Sequence, residues 1–373
     1  MQSSGLTHSN QRIVVAMSGG VDSSVAAAIL VEQGYDVVGI MLRLWNEPGQ
    51  ESFNRCCTPE AMGLARRVAG QLGIPFYVYD VRETFHQHIV QFFMDGYAQG
   101  ITPNPCMMCN RHIRFGALLQ HAEALDAKYL ATGHYARLNR TPDGKTQLLR
   151  AVDHSKDQSY VLSILNQNQL AHALFPVGEY TKPEIRALAE TFGLPTAQRP
   201  DSQDLCFLAG GDYRDFLHRH KPELEVSGPI LNTRGEEIGE HTGLAAYTIG
   251  QRKGLGLAAP QPLYVLEKNI SQNTLIVGTQ DELGGDELWT DTVNWVSGEP
   301  PTEPFRAEVK IRSTAREALG TITPHATGGA TIHFDTPLRD ITPGQAAVFF
   351  DHDIVLGNGT ILPHPPSPLT ITN

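Results

Sequence analysis

The sequence predicts an α/β chain: a parallel-sheet N-terminal domain, a small central domain and a C-terminal antiparallel β-barrel. Three observations predict it. Short apolar runs alternate with helical patterns through the first half, the spacing of β–α units and hence of a parallel sheet wrapped by helices. From about residue 222 Gly, Pro and Thr rise and the apolar runs become short and β-like. At 373 residues the chain is too long for one small core. The boundaries we place are a flexible leader at 1–11, a first domain at 12–221, a central domain at 222–283, a barrel at 284–363 and a loose tail at 364–373.

The elements follow in order. Residues 13–17 are an apolar strand, and residues 25–30 continue a helix that Gly34 stops. Residues 37–42 read as a second buried strand. Thr58, Pro59 and Glu60 open a helix with a hydroxyl cap, a proline at the first position and an acid next, and Gly73 ends it. A third strand covers 76–79, helices cover 83–98 and 111–125, and a fourth strand covers 128–132. Further helices are expected at 181–192 and 212–220. Strands at 263–266 and 275–277 flank a hairpin turn at 269–273, with more at 305–311, 330–334 and 346–350. Asn358-Gly359 signals a tight turn. No internal repeat is evident.

Composition excludes some classes. No run of about 18 apolar residues occurs, so no membrane span is expected. The polar first residues lack an apolar core, so no signal peptide is read there and the cytoplasm is the expected compartment. In that compartment five cysteines point to catalysis, redox chemistry or metal binding more than to structural disulfides. Net charge is −11, but residues 1–215 hold 18 Lys and Arg against 21 Asp and Glu, and the acidity gathers downstream. A nearly balanced first domain leaves a nucleic-acid partner open.

The organising stretch is Ser18, Gly19, Gly20, Val21, Asp22, Ser23 and Ser24, a Gly-rich turn between the apolar strand that ends in Ala16 and Met17 and the helix that follows. Such a turn lets backbone approach an anion, and a helix start offers unpaired N–H groups and a positive dipole end. It is neither the lysine-bearing P-loop, since no Lys follows the glycines, nor G-x-G-x-x-G. A plain β–α turn capped by Asp22 or Ser23 is the simpler alternative. Two glycines, hydroxyls at 18, 23 and 24 and one Asp at a single turn favour the phosphate cradle. In parallel sheets ligands bind at the carboxyl ends of strands, where Gly133 and His134 also fall.

The second feature is Asn104, Pro105, Cys106 and Cys109. Prolines 103 and 105 stiffen the approach. Cys109 stands just before the helix expected at 111–125, near Arg111 and Arg114, and a helix start and cations both favour thiolate. A zinc half-site or a redox pair on Cys106-x-x-Cys109 remains open, although zinc wants four ligands and no second C-x-x-C exists. The third feature is Cys206, at the end of a polar loop from Arg199. Alone it reads as a small buried hydrophobe; with a distant nucleophilic thiol it reads as one of a dithiol pair.

The loop at 18–23 resembles that of the PP-loop ATP pyrophosphatase superfamily (adenine nucleotide alpha hydrolase-like), whose members adenylate a carbonyl oxygen. The ordered set of blocks resembles the bacterial tRNA-specific 2-thiouridylase family. These blocks are 18–23, Thr102-Pro103-Asn104-Pro105 with Cys109-Asn110, 131–135, 156–160, 202–207, 248–256 and Pro343-Gly344-Gln345. The resemblance implies ATP-dependent 2-thiolation of the wobble uridine at tRNA position 34. Residues 16–23, Leu42 and Gly133 would hold ATP, with Mg²⁺ as its counter-ion and no tightly bound cofactor. Asn104, Pro105 and Cys106 would line the target base. His134, Lys156, Asp157, Gln158, Arg312, Ser313 and Gln345 would contact tRNA. Cys206 would carry sulfur as a persulfide and Cys109 would resolve it through a transient Cys109–Cys206 disulfide. The sulfur would come from a persulfide-donating relay protein or a cysteine desulfurase.

One departure stands out: many members carry Asp where this chain has Cys106. Cys56 and Cys57 have no role implied beyond packing before the helix at Thr58. The rival readings are a ligase of the same loop superfamily needing no thiols, a non-catalytic RNA-binding module, and a zinc or redox regulator on Cys106 and Cys109.

Overall fold

The structure is a computed structural model that describes residues 11–49, 58–201, 205–208 and 211–365. Most of the leader, Cys56, Cys57, residues 202–204 and the end of the tail lie outside the described residues. The N-terminal sheet has five parallel strands: β1 (Arg12–Ala16), β2 (Asp36–Arg43), β3 (Phe76–Asp80), β4 (Tyr129–Ala131) and a short fifth strand, Ala173–Leu174. Their order is β3-β2-β1-β4 and then the fifth strand. Chain order therefore reverses direction between β1 and β4, and the crevice at a parallel sheet's binding edge opens there.

The apolar run of β1 is buried on both faces, and its residues alternate between two cores. Ile13, Val15 and Met17 join the cluster under α1 (Val21–Glu32) and α2 (Pro59–Leu72). Val14 joins the opposite cluster, with Phe115, Leu118, Val348 and Phe350. Each such side chain contributes roughly 1.5–3 kcal/mol by leaving water. The α2 start is as its sequence reads: the Thr58 hydroxyl accepts the Ala61 N–H at 3.1 Å, Pro59 follows, and Gly73 ends the helix at φ +69°.

Two helical runs differ from their sequence reading. The first, α3, joins Arg82–Phe85, His86–Val90 and Gln91–Ala98, its middle wound in the wider i→i+5 pattern. The second, α4, joins Pro105–Met108, Cys109–Leu118 and Leu119–Glu123, again wide in its middle. It starts well before the expected residue 111, because the Asn104 side chain accepts the Met107 N–H at 3.3 Å and Pro105 takes the first helical position. Such wide turns recur at functional sites.

The central sheet is mixed. The hairpin β10 (Tyr264–Asn269) and β11 (Thr274–Gly278) is antiparallel, turning through Asn273 at φ +49°. It then pairs in parallel with β8 (Gly228–Leu231), which pairs antiparallel with β9 (Glu237–His241). The block at 248–256 runs beside this hairpin: Gly250 N–H bonds the Val265 carbonyl at 2.9 Å and Leu255 enters the core.

The third sheet has nine antiparallel strands and curls on itself. A bridge between Thr290 and Ile361 and a 2.8 Å bond from Leu362 N–H to the Trp289 carbonyl close it. Two of its strands, β5 (Arg137–Arg140) and β6 (Thr146–Leu149), come from the N-terminal part. Leu149 and Leu148 pair with Ile354 and Val355 of β18 (Ile354–Thr360). Asn358-Gly359 is not the expected turn. It lies inside β18, and the chain turns at His352, φ +51°. The pair is there for close approach: a Cβ on Gly359 would lie 2.6 Å from Thr290 Cβ, and Asn358 donates to the Ser163 carbonyl at 2.7 Å.

Candidate active site

The loop after β1 meets the N-terminus of α1 with Gly20 as its cap residue, so no side chain claims the first helical N–H groups. Gly19 holds φ +72°, and the Arg199 guanidinium donates to its carbonyl at 2.6 Å. Ser18 and Ser23 hydroxyls lie 3.2 Å apart; the Ser23 hydroxyl also accepts the Ser18 N–H and bonds the Gly20 carbonyl, fixing the turn. Gly133, just past β4, closes the other wall. A Cβ there would stand 2.6 Å from the Ser23 nitrogen. Ala16 and Leu42 sit near the carboxyl ends of β1 and β2, and Met17 bonds back to the Ile40 carbonyl at 2.8 Å. Residues 16–23, Leu42 and Gly133 are thus gathered at one edge of the sheet, and the turn fits a phosphate chain.

Asp22 is held from two sides. The Tyr135 hydroxyl donates to it at 2.7 Å and the Lys182 ammonium at 2.7 and 2.9 Å. Burial, then the Asp22 charge, push the Tyr135 phenol far up, so it stays a donor. The loop has no lysine of its own, and the fold brings one from α5 (Lys182–Thr191), where Thr181 caps the helix start. Lys182 also pairs with Asp201, which holds Lys156 at 3.0 Å and Arg186 at 2.8 Å. Tyr135, Arg199 and Asp201 lie in stretches that the sequence singles out but carry no role of their own there, and Lys182 is not marked at all. Thr181-Lys182-Pro183 signals a helix start, and nothing in that spacing points to a loop some 160 residues upstream.

Cys109 does not stand before α4. It lies inside it, at the first residue of the wide middle segment, buried, while Cys106 is exposed at the second helical position. The helix-start argument for thiolate therefore applies to Cys106 and not to Cys109. What surrounds Cys109 is an apolar cluster of Phe85, Phe93, Phe207 and Phe216, and the half-buried Cys206 packs against the same cluster. Next to Cys109 the buried Asn110 donates to the Val161 carbonyl at 2.9 Å and accepts from Arg114 at 2.7 Å. Asn104 also meets the Tyr160 hydroxyl, which donates to the Ala346 carbonyl at 3.0 Å.

The residues expected at tRNA divide in two. Asp157 and Gln158 spend their side chains internally: Asp157 on Ala151 and Ser159, Gln158 on the Tyr135 N–H at 3.0 Å. His134 bonds the Thr132 hydroxyl at 2.7 Å; burial and then Arg114 push its imidazole down to about 3. It is a neutral group, not a phosphate-binding cation. Lys156 is partly exposed in its pair with Asp201. Arg312 bonds the Ile249 carbonyl at 3.2 Å and the Thr342 hydroxyl, with Ser313 exposed beside it. Gln345 reaches the Thr102 carbonyl. Of these, Gln345 alone is bonded to the segment that leads into Asn104, Pro105 and Cys106.

Residues 11–210 match the family described as the tRNA methyl transferase HUP domain, 214–279 the tRNA methyl transferase PRC-barrel domain, and 285–361 the aminomethyltransferase beta-barrel domain. The chain is 46% identical over 368 residues to the tRNA-specific 2-thiouridylase MnmA of Roseiflexus sp. (strain RS-1), covering 94% of this chain and 99% of the relative. It is 48% identical over 359 residues to the protein of that name from Symbiobacterium thermophilum, covering 94% and 92%.

Proposed function

Because this chain belongs to the tRNA-specific 2-thiouridylase family, it is a tRNA-uridine 2-sulfurtransferase that uses ATP, and we propose the following route for its residues. The target is the wobble uridine at position 34, drawn out of its stack to reach the site. A uracil C2 carbonyl has no leaving group, so its O2 attacks the α-phosphorus of ATP and pyrophosphate leaves. The turn at 18–23 holds the phosphates, with Asp22 as the carboxylate suited to Mg²⁺. Leu42 and Gly133 flank the adenosine.

Cys206 carries a persulfide, loaded by a relay protein or a cysteine desulfurase. Its terminal sulfur attacks C2, directly or as released hydrosulfide, and AMP leaves. In the direct route the Cys109 thiolate then attacks the Cys206 sulfur. The S–S bond breaks, its electron pair passes to the sulfur on C2, and a Cys109–Cys206 disulfide remains for a thiol reductant. The observation that carries this reading is the packing of Cys109 and Cys206, far apart in sequence, into one apolar cluster beside the loop's sheet edge.

Asn104, Pro105 and Cys106 line the base, and Lys156, Arg312, Ser313 and Gln345 meet the tRNA, with His134, Asp157 and Gln158 shaping that surface from within. The segments 12–221, 222–283 and 284–363 are our working units for activation, linkage and tRNA docking. No helix among the described residues is long and apolar enough to cross a membrane, and we assign the enzyme to the cytoplasm.

Unmodified tRNA incubated with enzyme, ATP, Mg²⁺ and a sulfide source should yield 2-thiouridine in a nucleoside digest, with pyrophosphate released. With a persulfide donor in place of sulfide, Cys109→Ser and Cys206→Ser should each abolish it. Full thiolation without either thiol sinks the mechanism. The description of two matched domains as methyl transferase suggests a second reaction. That chemistry requires no adenylate and no second thiol, and the same digest would show a methylated nucleoside instead.

A further inference from the structure

Lys182 has no part in the route above, yet its surroundings are unusual for a lysine. Its side chain is only 10% exposed, and its ammonium stands between two carboxylates, 2.7 Å from Asp22 and 3.0 Å from Asp201. The Tyr135 ring centroid is 5.6 Å away, and the Lys182 N–H is fixed on Asp153 at 2.9 Å. Holding a cation so far from water is costly unless its partners are well placed. One partner belongs to the phosphate loop. The other belongs to the stem that runs on to Cys206. A second tie joins the same two segments, from Arg199 to the Gly19 carbonyl.

We propose that Lys182 is a positioning residue that couples nucleotide occupancy of the loop to the placement of Cys206. The proposal rests on the reading of the loop as the ATP site and of Cys206 as the sulfur carrier. Among the described residues Lys182 alone pairs with both carboxylates. Asp201 keeps Lys156 and Arg186 when the ammonium turns toward incoming phosphates, and Asp22 keeps the Tyr135 hydroxyl. Neither carboxylate is stranded by the move, so the bridge yields to a polyphosphate and the stem's tie to Asp22 is released when the loop fills. Linkage makes the effect reciprocal: whatever fixes the stem alters the loop's affinity for ATP. The consequence for the reaction is order. The sulfur carrier takes its position once the activating nucleotide is in place.

The test uses the whole protein and α,β-methylene ATP with Mg²⁺, which binds but cannot adenylate. Iodoacetamide labelling is followed at Cys206 by peptide mass spectrometry. In the wild type the analogue should change the labelling rate at least about fivefold, the low end of ordinary coupling. In Lys182→Met the ratio should fall to about one, and Lys182→Arg should restore part of it. Asp201→Asn should lose the ratio while still binding the analogue, and it decides the matter if Lys182→Met does not fold. A merely structural lysine would lower the melting temperature and leave the ratio intact. A wild-type ratio of one with the analogue bound, or an unchanged ratio in either folded variant, overturns the coupling. Failure of the analogue to bind the wild type overturns the ATP reading itself.

Discussion

Gln345 donates its side-chain amide to the Thr102 carbonyl at 2.8 Å, and Thr102 returns its own N–H to the Pro343 carbonyl at 2.8 Å. Gly344, at φ +89° between them, lets the two segments touch: a Cβ there would meet Ile101 and Thr102 at 2.9 Å. The C-terminal sheet thus fixes the approach to Asn104, Pro105 and Cys106. The resemblance marked Gln345 for tRNA; its bond within the fold is to the segment that leads into Asn104.

Gln345→Ala should therefore weaken tRNA turnover through that segment. One hydrogen bond of this kind contributes about 0.5–1.5 kcal/mol, so kcat/KM for tRNA should fall roughly two- to tenfold. Binding of α,β-methylene ATP should not change. Equal losses in both would show that the clasp is structural for the whole domain.

Gly19 gives a sharper test of the loop. Its φ of +72° strains any side chain, and a Cβ would press on the Ala61 carbonyl. Gly19→Ala should cost about 1–3 kcal/mol at the turn and lower affinity for the analogue more than about tenfold. Gly34 has the same hand, φ +82°, with open space around it. Gly34→Ala should cost stability alone, with nucleotide binding unchanged by calorimetry. Equal binding losses in the two would remove the argument from the loop's geometry.

His134 predicts a pH dependence of stability. Its folded pKa is pushed down to about 3 by burial, against about 6.5 unfolded. Below 6.5 the unfolded chain takes a proton that the folded chain refuses, so stability falls as pH falls from 6.5 toward 3. The slope contributed is up to about 1.4 kcal/mol per pH unit. Urea unfolding at pH 7 and pH 5 should show a smaller loss in His134→Gln than in the wild type. Identical losses would mean that His134 is not held neutral.

What the sequence revealed follows from locality. The Thr58 cap, Gly73 stop and apolar β1 are written in adjacent residues, and they came out as read. The Gly-rich turn after β1 is local as well. The hairpin β5–β6 was missed because its partner, β18, lies some 200 residues later and neither strand alternates strongly. Asn358-Gly359 misled because the same small residues serve turns and close strand contacts. Lys182 was invisible as a site residue since its meaning lies in Asp22 and Asp201, which only the fold brings to it. The placement of Cys109 failed by one helix start: Asn104 and Pro105 form a valid N-terminal signal, whereas the sequence reading takes the prolines only as stiffening the approach.

Cys106 is exposed at the second position of α4, where a carboxylate is favoured by the helix dipole by about 0.3–1 kcal/mol. Cys106→Asp places a carboxylate at a position that welcomes its charge. The variant should fold with an equal or higher melting temperature and keep thiolation within about tenfold, since Cys109 and Cys206 pack in the aromatic cluster and Cys106 is not among its members. Labelling at Cys206 should be unaltered. A loss as deep as that of Cys109→Ser, in a folded variant, would make Cys106 a sulfur-handling thiol and require a third cysteine in the route.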